Sequence, residues 1–193
     1  MVGAGLPQIR GRLGRAKSYA GRLFDFPEIG PLSPDDTKTA IAKPASAQGI
    51  SVTAGALERI ILETHCFPYF VQEWGKQSWD EAHGTEISEA DVATASVHAT
   101  AALDESFFRV RFDRLTPAER VYLRAMAARG PGPHRSGDIA AELGRDVRSL
   151  APTRGKLIAK GMAYSPSHGD TAFTVPLFDE FMRRVMPGEG WRD

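Results

Sequence analysis

Signals that start an α-helix recur along this chain, and they constrain its fold more than any other sequence feature. Ser33-Pro34 and Thr116-Pro117 each place a hydroxyl side chain before a proline, which suits the N-cap and the first helical position. Pro68 opens a further helix, and two more hydroxyl caps follow the same pattern: Thr53 and Ser88. Helix starts this closely spaced predict a chain of short helices rather than a long rod or an open sheet.

Residues 33–114 are predicted to form a small helical bundle. Helices are expected from about Pro34 to Gln48, after Thr53, from Pro68 to Gly84, and from Ser88 towards Val110. No alternation of apolar and polar residues interrupts them, so the pattern predicts no strand in this part. An aromatic cluster is interpreted as core packing of the bundle: Phe67, Tyr69, Phe70, Trp74 and Trp79.

Residues 115–186 show a different order of elements. A helix follows Pro117, Ser136 is placed to cap a short second helix that stops at Gly144, and a third helix runs from about Asp146 to Lys160. Residues 162–175 are then predicted to form a two-stranded hairpin, the wing, around a polar turn. Three helices followed by a hairpin indicate a winged helix-turn-helix.

The chain is therefore predicted to be mainly α, with a helical bundle followed by a winged helix-turn-helix that includes a small β-hairpin. A last amphipathic helix is expected to bury Leu177, Phe178, Phe181 and Val185. Residues 187–193 are expected to form a loose tail.

Charge is distributed unevenly along a chain whose net charge is zero. The stretch from Leu23 to Thr116 has 7 Lys+Arg against 15 Asp+Glu, whereas Pro117 to Val175 has 9 against 5. A basic module following an acidic one is compatible with two tasks, of which the basic one could face phosphates.

The third helix of the predicted winged helix presents a candidate DNA-binding face. At 100° per residue, Val147, Leu150, Leu157 and Ile158 form the stripe that packs inward. The opposite arc has no Asn or Gln to grip adenine, and only Arg148 is placed to grip guanine. We therefore expect salt-sensitive, weakly sequence-specific contacts to the DNA backbone. The candidate DNA-binding residues are Arg145, Arg148, Ser149, Lys156, Lys160 and, on the wing, His168.

Arg154 falls inside the apolar stripe of this third helix. A buried charge needs a partner, and the short second helix carries two carboxylates. We therefore expect Arg154 to pair with Asp138 or Glu142.

Several chemistries lack the residues they require. Cys66 is the single cysteine, so no intramolecular disulfide can form. The five histidines lack metal-ligand spacing, and the neighbours Ser167, His168 and Asp170 in one turn are not a catalytic triad. No G-x-x-x-x-G-K-[ST] phosphate loop occurs. We predict no metal site and no catalytic residues. Because no apolar run reaches membrane length and no secretory signal opens the chain, we expect a soluble cytoplasmic protein without a membrane partner.

The basic module carries four distinctive segments: Leu115–Met126 (LTPAERVYLRAM), Arg135–Ala140 (RSGDIA), Ala163–Asp170 (AYSPSHGD) and Phe173–Pro176 (FTVP). They resemble the C-terminal winged helix of bacterial AAA+ ATPases, similar to the archaeal-type and origin-recognition-like families. The acidic part fits the same family, with Phe67–Gly75 (FPYFVQEWG) similar to its lid helix and residues 1–32 similar to the end of its core and a linker. The N-terminal segments are Val2–Pro7 (VGAGLP), Lys17–Ala20 (KSYA) and Phe24–Ile29 (FDFPEI).

The resemblance implies a machine whose intact relatives bind ATP and magnesium in a core while the lid, here residues 33–114, and the winged helix respond. It places Pro68 and Tyr69 near the nucleotide, although Cys66 stands where the family usually has glycine. This chain would be a truncated, C-terminal fragment without a cofactor or ATPase activity of its own. Two functions stay open: a DNA-binding winged-helix protein, or a module that docks onto a nucleotide-binding core or another partner protein.

Overall fold

The computed structural model describes residue 25 and residues 30–192. The described part of the chain divides into two compact units, one ending at Val110 and the other beginning at Arg111. The domain limits 33–114 and 115–186 stay predictions. The segments compared with the family's core and linker, Val2–Pro7, Lys17–Ala20 and Phe24–Ile29, lie outside the described residues, apart from the exposed Asp25.

Helices dominate the first unit, and their starts lie where the capping residues predict. The N-cap hydroxyls of Ser33 and Thr53 accept hydrogen bonds from backbone N–H groups of the first turn, and Ser88 forms a reciprocal capping box with Asp91. Each cap satisfies a backbone donor that the helix leaves free. The helices are α1 (Pro34–Ala47), α2 (Ala54–Thr64), α3 (Pro68–Glu81) and α4 (Glu89–Leu103), followed directly by a π-helical turn (Asp104–Phe108). The short α5 (Arg109–Phe112) comes next, and its last two residues belong to the second unit.

Aromatic side chains from α3 and the π-helical turn build the core of the first unit. Phe70, Trp74 and Phe108 are buried, and the ring centroids of Phe70 and Phe108 lie 5.8 Å apart. Tyr69 and Trp79 remain 47% and 44% exposed. The interpretation of the whole aromatic cluster as core is therefore wrong for these two rings.

Two features of the first unit go beyond the predicted helices. Strands β1 (Ser51–Val52) and β2 (Glu86–Ile87) pair in parallel, so the prediction of no strand in this part is wrong. Each strand has two residues, too few for alternation to register in a sequence window. The π-helical turn is the second feature, and it allows Phe107 and Phe108 both to contact Phe70.

The second unit has the arrangement of a winged helix-turn-helix. Strand β5 (Asp170–Phe173) is the middle strand of its small sheet and pairs antiparallel with both β3 (His134–Arg135) and β4 (Ala163–Tyr164). The predicted fold class, mainly α with a small β-hairpin, is confirmed, although the first strand of this sheet was not predicted. The elements are α6 (Pro117–Ala128), β3 (His134–Arg135), α7 (Ser136–Glu142), α8 (Val147–Ala159), β4 (Ala163–Tyr164), β5 (Asp170–Phe173), α9 (Phe178–Val185) and a 3₁₀ turn (Gly190–Arg192).

Helix α6 is the centre of the second unit. Its Tyr122, Leu123 and Met126 are almost completely buried, as are Phe178 and Phe181 on α9. Burial of aromatic and aliphatic side chains of this size supplies the main driving force for folding. None of the helices in the described part of the chain has both the length and the apolar character needed to cross a lipid bilayer.

The roles predicted for Ser136, as a helix cap, and for Val147, as an inward-packing residue, are both wrong. Ser136 is the first residue of α7 rather than its N-cap, and its side chain donates to the Gly169 carbonyl at 2.8 Å. Val147 is 42% exposed, whereas Leu150 and Leu157 are buried. Val147 is the first residue of α8, and the buried residues of the inward-facing stripe begin one turn later, at Leu150.

The sequence predicts a loose tail for residues 187–193, and this prediction is wrong for residues 187–192. Trp191 is 7% exposed, and the Arg124 guanidinium carbon lies 4.8 Å from the centroid of a Trp191 ring. Arg124 Nε also donates to the Met186 carbonyl at 2.7 Å. A buried guanidinium that lacks water needs such acceptors, so α6 and the tail stabilise each other.

A strained turn joins α2 to α3. His65 and Cys66 both adopt the left-handed conformation, with φ of 49° and 58°, which costs a residue with a Cβ about 1–2 kcal/mol. Cys66 is buried and its carbonyl accepts from the Leu32 N–H at 2.9 Å, whereas His65 is exposed. The surroundings of Cys66 therefore hold this turn, and the His65 side chain contributes little to it.

We expect His65→Gly to raise the free energy of unfolding by roughly 0.5–1 kcal/mol, because glycine adopts a positive φ without a Cβ clash. Urea denaturation followed by circular dichroism measures the change. His65→Ala keeps the Cβ and is the matched control, for which no gain is expected. An equal gain in both variants would place the strain in the imidazole instead of the backbone.

Candidate nucleic-acid interface

The exposed face of α8 combines cations with small residues. Arg148 and Lys156 are exposed, and Pro152 and Gly155 lie between them on the same arc. A Cβ built on Gly155 would meet open space beyond the helix's own backbone. The helix contains no Asp or Glu. Apart from Asp146 at the N-cap of α8, such a face can approach a polyanion closely without repulsion from a carboxylate of the helix.

The cations of this face are not neutralised by ion pairs. Within residues 30–192, no carboxylate lies within 4.0 Å of the charged nitrogens of Arg145, Arg148 or Lys156. Arg145 lies in the turn between α7 and α8 and is exposed, as is Ser149 at the start of α8. Other cations of the unit are paired: Arg129 with Asp138, Arg135 with Asp170, and Arg192 with Glu142.

Arg154 contacts the hairpin and not α7. Its Nε donates to Thr171 Oγ1 at 2.7 Å, and its Nη2 donates to Ser165 Oγ at 2.9 Å and to the Asp170 carbonyl at 2.7 Å. The helical angle placed Arg154 correctly on the inward face, but β5 rather than α7 lies opposite this position. The expected pairing is therefore wrong for both carboxylates: Asp138 and Glu142.

A buried tyrosine extends the contacts of Arg154 into the core. Thr171 is fully buried and hydrogen-bonds with Tyr122 of α6. Burial raises the pKa of the Tyr122 phenol, while the hydrogen bond to Thr171 and the positive charge of Arg154 lower it, with burial prevailing. The phenol therefore stays neutral at physiological pH, and α6, α8 and β5 meet through one polar network.

The wing tip, residues 165–169 of the hairpin, is held at both ends. The Ser136 N–H and hydroxyl both donate to the Gly169 carbonyl, at 2.9 and 2.8 Å. At the other end Ser165 Oγ accepts from Arg154 and donates to the Ser167 carbonyl at 2.7 Å. His168 is exposed at the tip. The tip is thus a short, ordered projection beside α8.

Lys160 is occupied by contacts inside the unit. Its Nζ donates to Glu119 Oε2 at 2.7 Å and to the Arg114 carbonyl at 2.9 Å. The same Glu119 oxygen accepts from the Thr116 N–H at 2.8 Å, which completes the capping box of α6. The sequence predicts that Lys160 contacts DNA, but in the structure its charge compensates Glu119.

Glu119 is ionised although its side chain is only 2% exposed. Burial opposes its ionisation and is the largest single effect, but hydrogen bonds from Lys160 and Thr116 together outweigh it and lower the pKa of the carboxyl group. A lowered pKa in the folded state stabilises the protein at neutral pH. That stabilisation is complete above the ordinary value of 4.5 and is lost as the pH falls through the lowered pKa.

We expect Lys160→Met to lower the free energy of unfolding at pH 7 by about 2 kcal/mol, because it leaves a buried carboxylate without its cation. The loss should shrink as the pH falls below 4.5 and through the lowered pKa of Glu119, because protonation removes the carboxylate that Lys160 compensates. Urea denaturation at several pH values measures both effects. Lys156→Met, on the same helix but without a carboxylate partner among the described residues, is the control and should change stability by less than about 0.5 kcal/mol. A loss that does not depend on pH would contradict this role of the pair.

Pro68 and Tyr69, the residues that the resemblance places near a nucleotide, lie at the start of α3 in the first unit. Pro68 is the first helical residue, and the exposed Tyr69 ring stacks on Phe107 with 4.9 Å between centroids. The Tyr69 ring contacts the apolar rings of Phe70 and Phe107. Among the described residues, no phosphate-binding loop lies beside Pro68 and Tyr69. In residues 30–192, moreover, no three His, Cys, Asp or Glu side chains converge as metal ligands would.

Sequence reasoning missed the residues that hold the wing. Ser136, Ser165 and Thr171 each act through a hydroxyl whose partner lies more than ten residues away in the chain. The polar turn Ser165–Asp170 was the available signal, because a turn rich in Ser and Asp often hydrogen-bonds its own backbone. It does not reveal the partner on α8.

Comparisons with known proteins give limited similarity. A family model described as "Domain of unknown function (DUF8462)" matches residues 105–182, which is less than half of the chain. A solved structure of a mutant RuvB from Thermotoga maritima is 17% identical over 79% of this chain, with a TM-score of 0.38. This chain covers 49% of that protein, about half its length. No curated protein matches. Similarity at this level assigns neither an activity nor a ligand.

Proposed function

We propose that the second unit binds DNA through the exposed face of α8 and the wing tip. The observation that carries the proposal is the group of exposed cations Arg145, Arg148 and Lys156, for which residues 30–192 offer no carboxylate partner. Leaving cations unpaired costs nothing in water, and a polyanion gains from them by releasing its counterions. The proposed surface also includes Ser149 and His168.

The contacts of this surface are directed to phosphates rather than bases. Side chains between the cations are small, as at Pro152 and Gly155, so the backbone of α8 can lie close to the sugar-phosphate chain. No Asn or Gln lies on α8 to form a bidentate contact with adenine. Arg148 alone has the length and position for guanine. Binding is therefore strongly salt-dependent and weakly sequence-specific.

We further propose that the chain is related to the lid and winged helix of AAA+ ATPases and does not itself hydrolyse ATP. The segments of residues 67–75 and 115–176 support the relation. The residues present do not fit a triphosphate and magnesium, because the sequence has no phosphate-loop motif and the described parallel strands are two residues each. Pro68 and Tyr69 could at most contact a base. No step of the proposed function passes through ATP.

Docking onto a protein is the second candidate function, and the charge of the first unit favours it. Residues 30–110 contain 12 Asp+Glu against 5 Lys+Arg, while residues 111–192 contain 9 against 14. An acidic surface suits a basic partner and not a nucleic acid. Under this alternative, substitutions on α8 leave binding to the partner protein intact.

A titration of a fluorescently labelled duplex by anisotropy tests the DNA proposal. We expect the double variant Arg148→Ala/Lys156→Ala to weaken binding at least about tenfold and to reduce the slope of log K against log salt by about 2, because two phosphate contacts are lost. Measurements at about 50 and 200 mM salt give that slope.

Lys43→Ala is the matched control, since Lys43 is an exposed helical lysine of the first unit. It should leave both affinity and slope unchanged. No binding by the wild-type chain at low salt, or equal weakening by Lys43→Ala, would reject the α8 surface and favour docking.

A further inference from the structure

We propose that Arg154 is a positioning residue that holds the wing at a fixed distance from α8 and thereby makes the surface selective for double-stranded over single-stranded DNA. The inference rests on the proposed DNA binding. Arg154 lies on the helix that carries the DNA-binding cations, yet its guanidinium is turned away from them. Its role is to connect the two elements that contact DNA.

The hydrogen bonds of Arg154 span the base of the hairpin. Nε binds the hydroxyl of the buried Thr171 on β5, and Nη2 binds both Ser165 Oγ and the Asp170 carbonyl, one at each end of the turn. Charged donors form stronger hydrogen bonds than neutral ones, and the planar guanidinium fixes the direction of each. Lysine could not reproduce the arrangement with a single nitrogen.

A second contact prevents the wing tip from moving independently. The Gly169 carbonyl accepts from both the N–H and the hydroxyl of Ser136, at the start of α7. Arg154 and Ser136 therefore attach the hairpin to two helices of the helix-turn-helix. Of these two contacts, only that of Arg154 arises from the helix that bears the DNA-binding cations.

A fixed distance between α8 and the wing favours a duplex. Duplex DNA presents phosphates at defined positions, so a rigid surface meets several of them without ordering itself on binding. Single strands are held chiefly by bases stacking on aromatic rings. The exposed face of α8 offers no aromatic ring among its described residues: Ala151, Pro152, Gly155 and Ala159 separate the cations. Single-stranded DNA thus gains only charge contacts, which both kinds of DNA share.

Affinities of wild type and variants for a duplex and for one of its single strands test the proposal. We expect the wild type to prefer the duplex by at least about tenfold, and Arg154→Gln to lose most of this preference by weakening duplex binding alone. Arg154→Lys keeps the charge and should behave like Arg154→Gln, which separates geometry from charge. Arg148→Ala is the control and should weaken binding to both kinds of DNA while retaining the preference for the duplex.

Backbone order of residues 166–169, measured by ¹⁵N relaxation without DNA, is an independent readout. We expect order parameters near 0.85 in the wild type to fall below about 0.6 in Arg154→Gln. Ser165→Ala removes the bonds of one exposed hydroxyl and leaves those of Arg154 to Thr171 and Asp170, so a smaller loss of order is expected. This milder variant serves as the test if Arg154→Gln unfolds the unit.

The outcomes separate the two proposals. An unchanged order of the wing in the Arg154 variants would overturn the positioning role, and equal losses for duplex and single strand would overturn the selectivity. If the wing becomes mobile but the wild-type chain binds no DNA, the proposed function fails while the positioning role of Arg154 stands.

Discussion

Burial of α6 is the constraint on which the second unit depends. Almost every turn of this helix lies inside the unit, including three side chains with polar groups: Glu119, Tyr122 and Arg124. Each of these groups must find a partner away from water, because an unpaired buried polar group destabilises the fold by about 1–3 kcal/mol. Each finds it on a different element, and these three pairings set where the surrounding elements lie.

The three pairings also decide which cations remain for a ligand. Lys160 compensates Glu119, Arg154 reaches the hairpin beside Tyr122, and Arg124 is itself enclosed by the tail. These three charges stabilise the fold and are poorly placed for phosphates. The excess of basic residues in this unit therefore overstates its free positive charge. The cations that remain exposed are the smaller group on α8 and the preceding turn. The salt dependence of DNA binding should therefore reflect the number of these cations rather than the net charge of the unit.

The parts of the fold that depend on local chemistry were predictable from sequence, and the parts that depend on distant contacts were not. Capping by Ser33, Thr53, Ser88 and Thr116 needs only neighbouring residues, and all four cap their helices. Strands β1, β2 and β3, by contrast, exist only because a distant segment pairs with them. The same limit applies to the site: helical angles assign a residue to a face, as for Arg154, but not to the element that lies opposite.

Helical periodicity predicts which residues of a helix are exposed, but it does not predict which distant residue a side chain contacts. For this reason only part of the site could be predicted from the sequence. The exposed cations Arg145, Arg148 and Lys156 could be found because exposure follows from helical periodicity alone. The residues that hold the wing could not, since Ser136 and Arg154 are ordinary polar residues until the hairpin is placed against α7 and α8. A contact surface made of two elements needs such internal connections, because two separately mobile elements would lose conformational entropy when both bind at once. Residues of this second kind never touch the ligand, yet they determine whether the exposed ones act together.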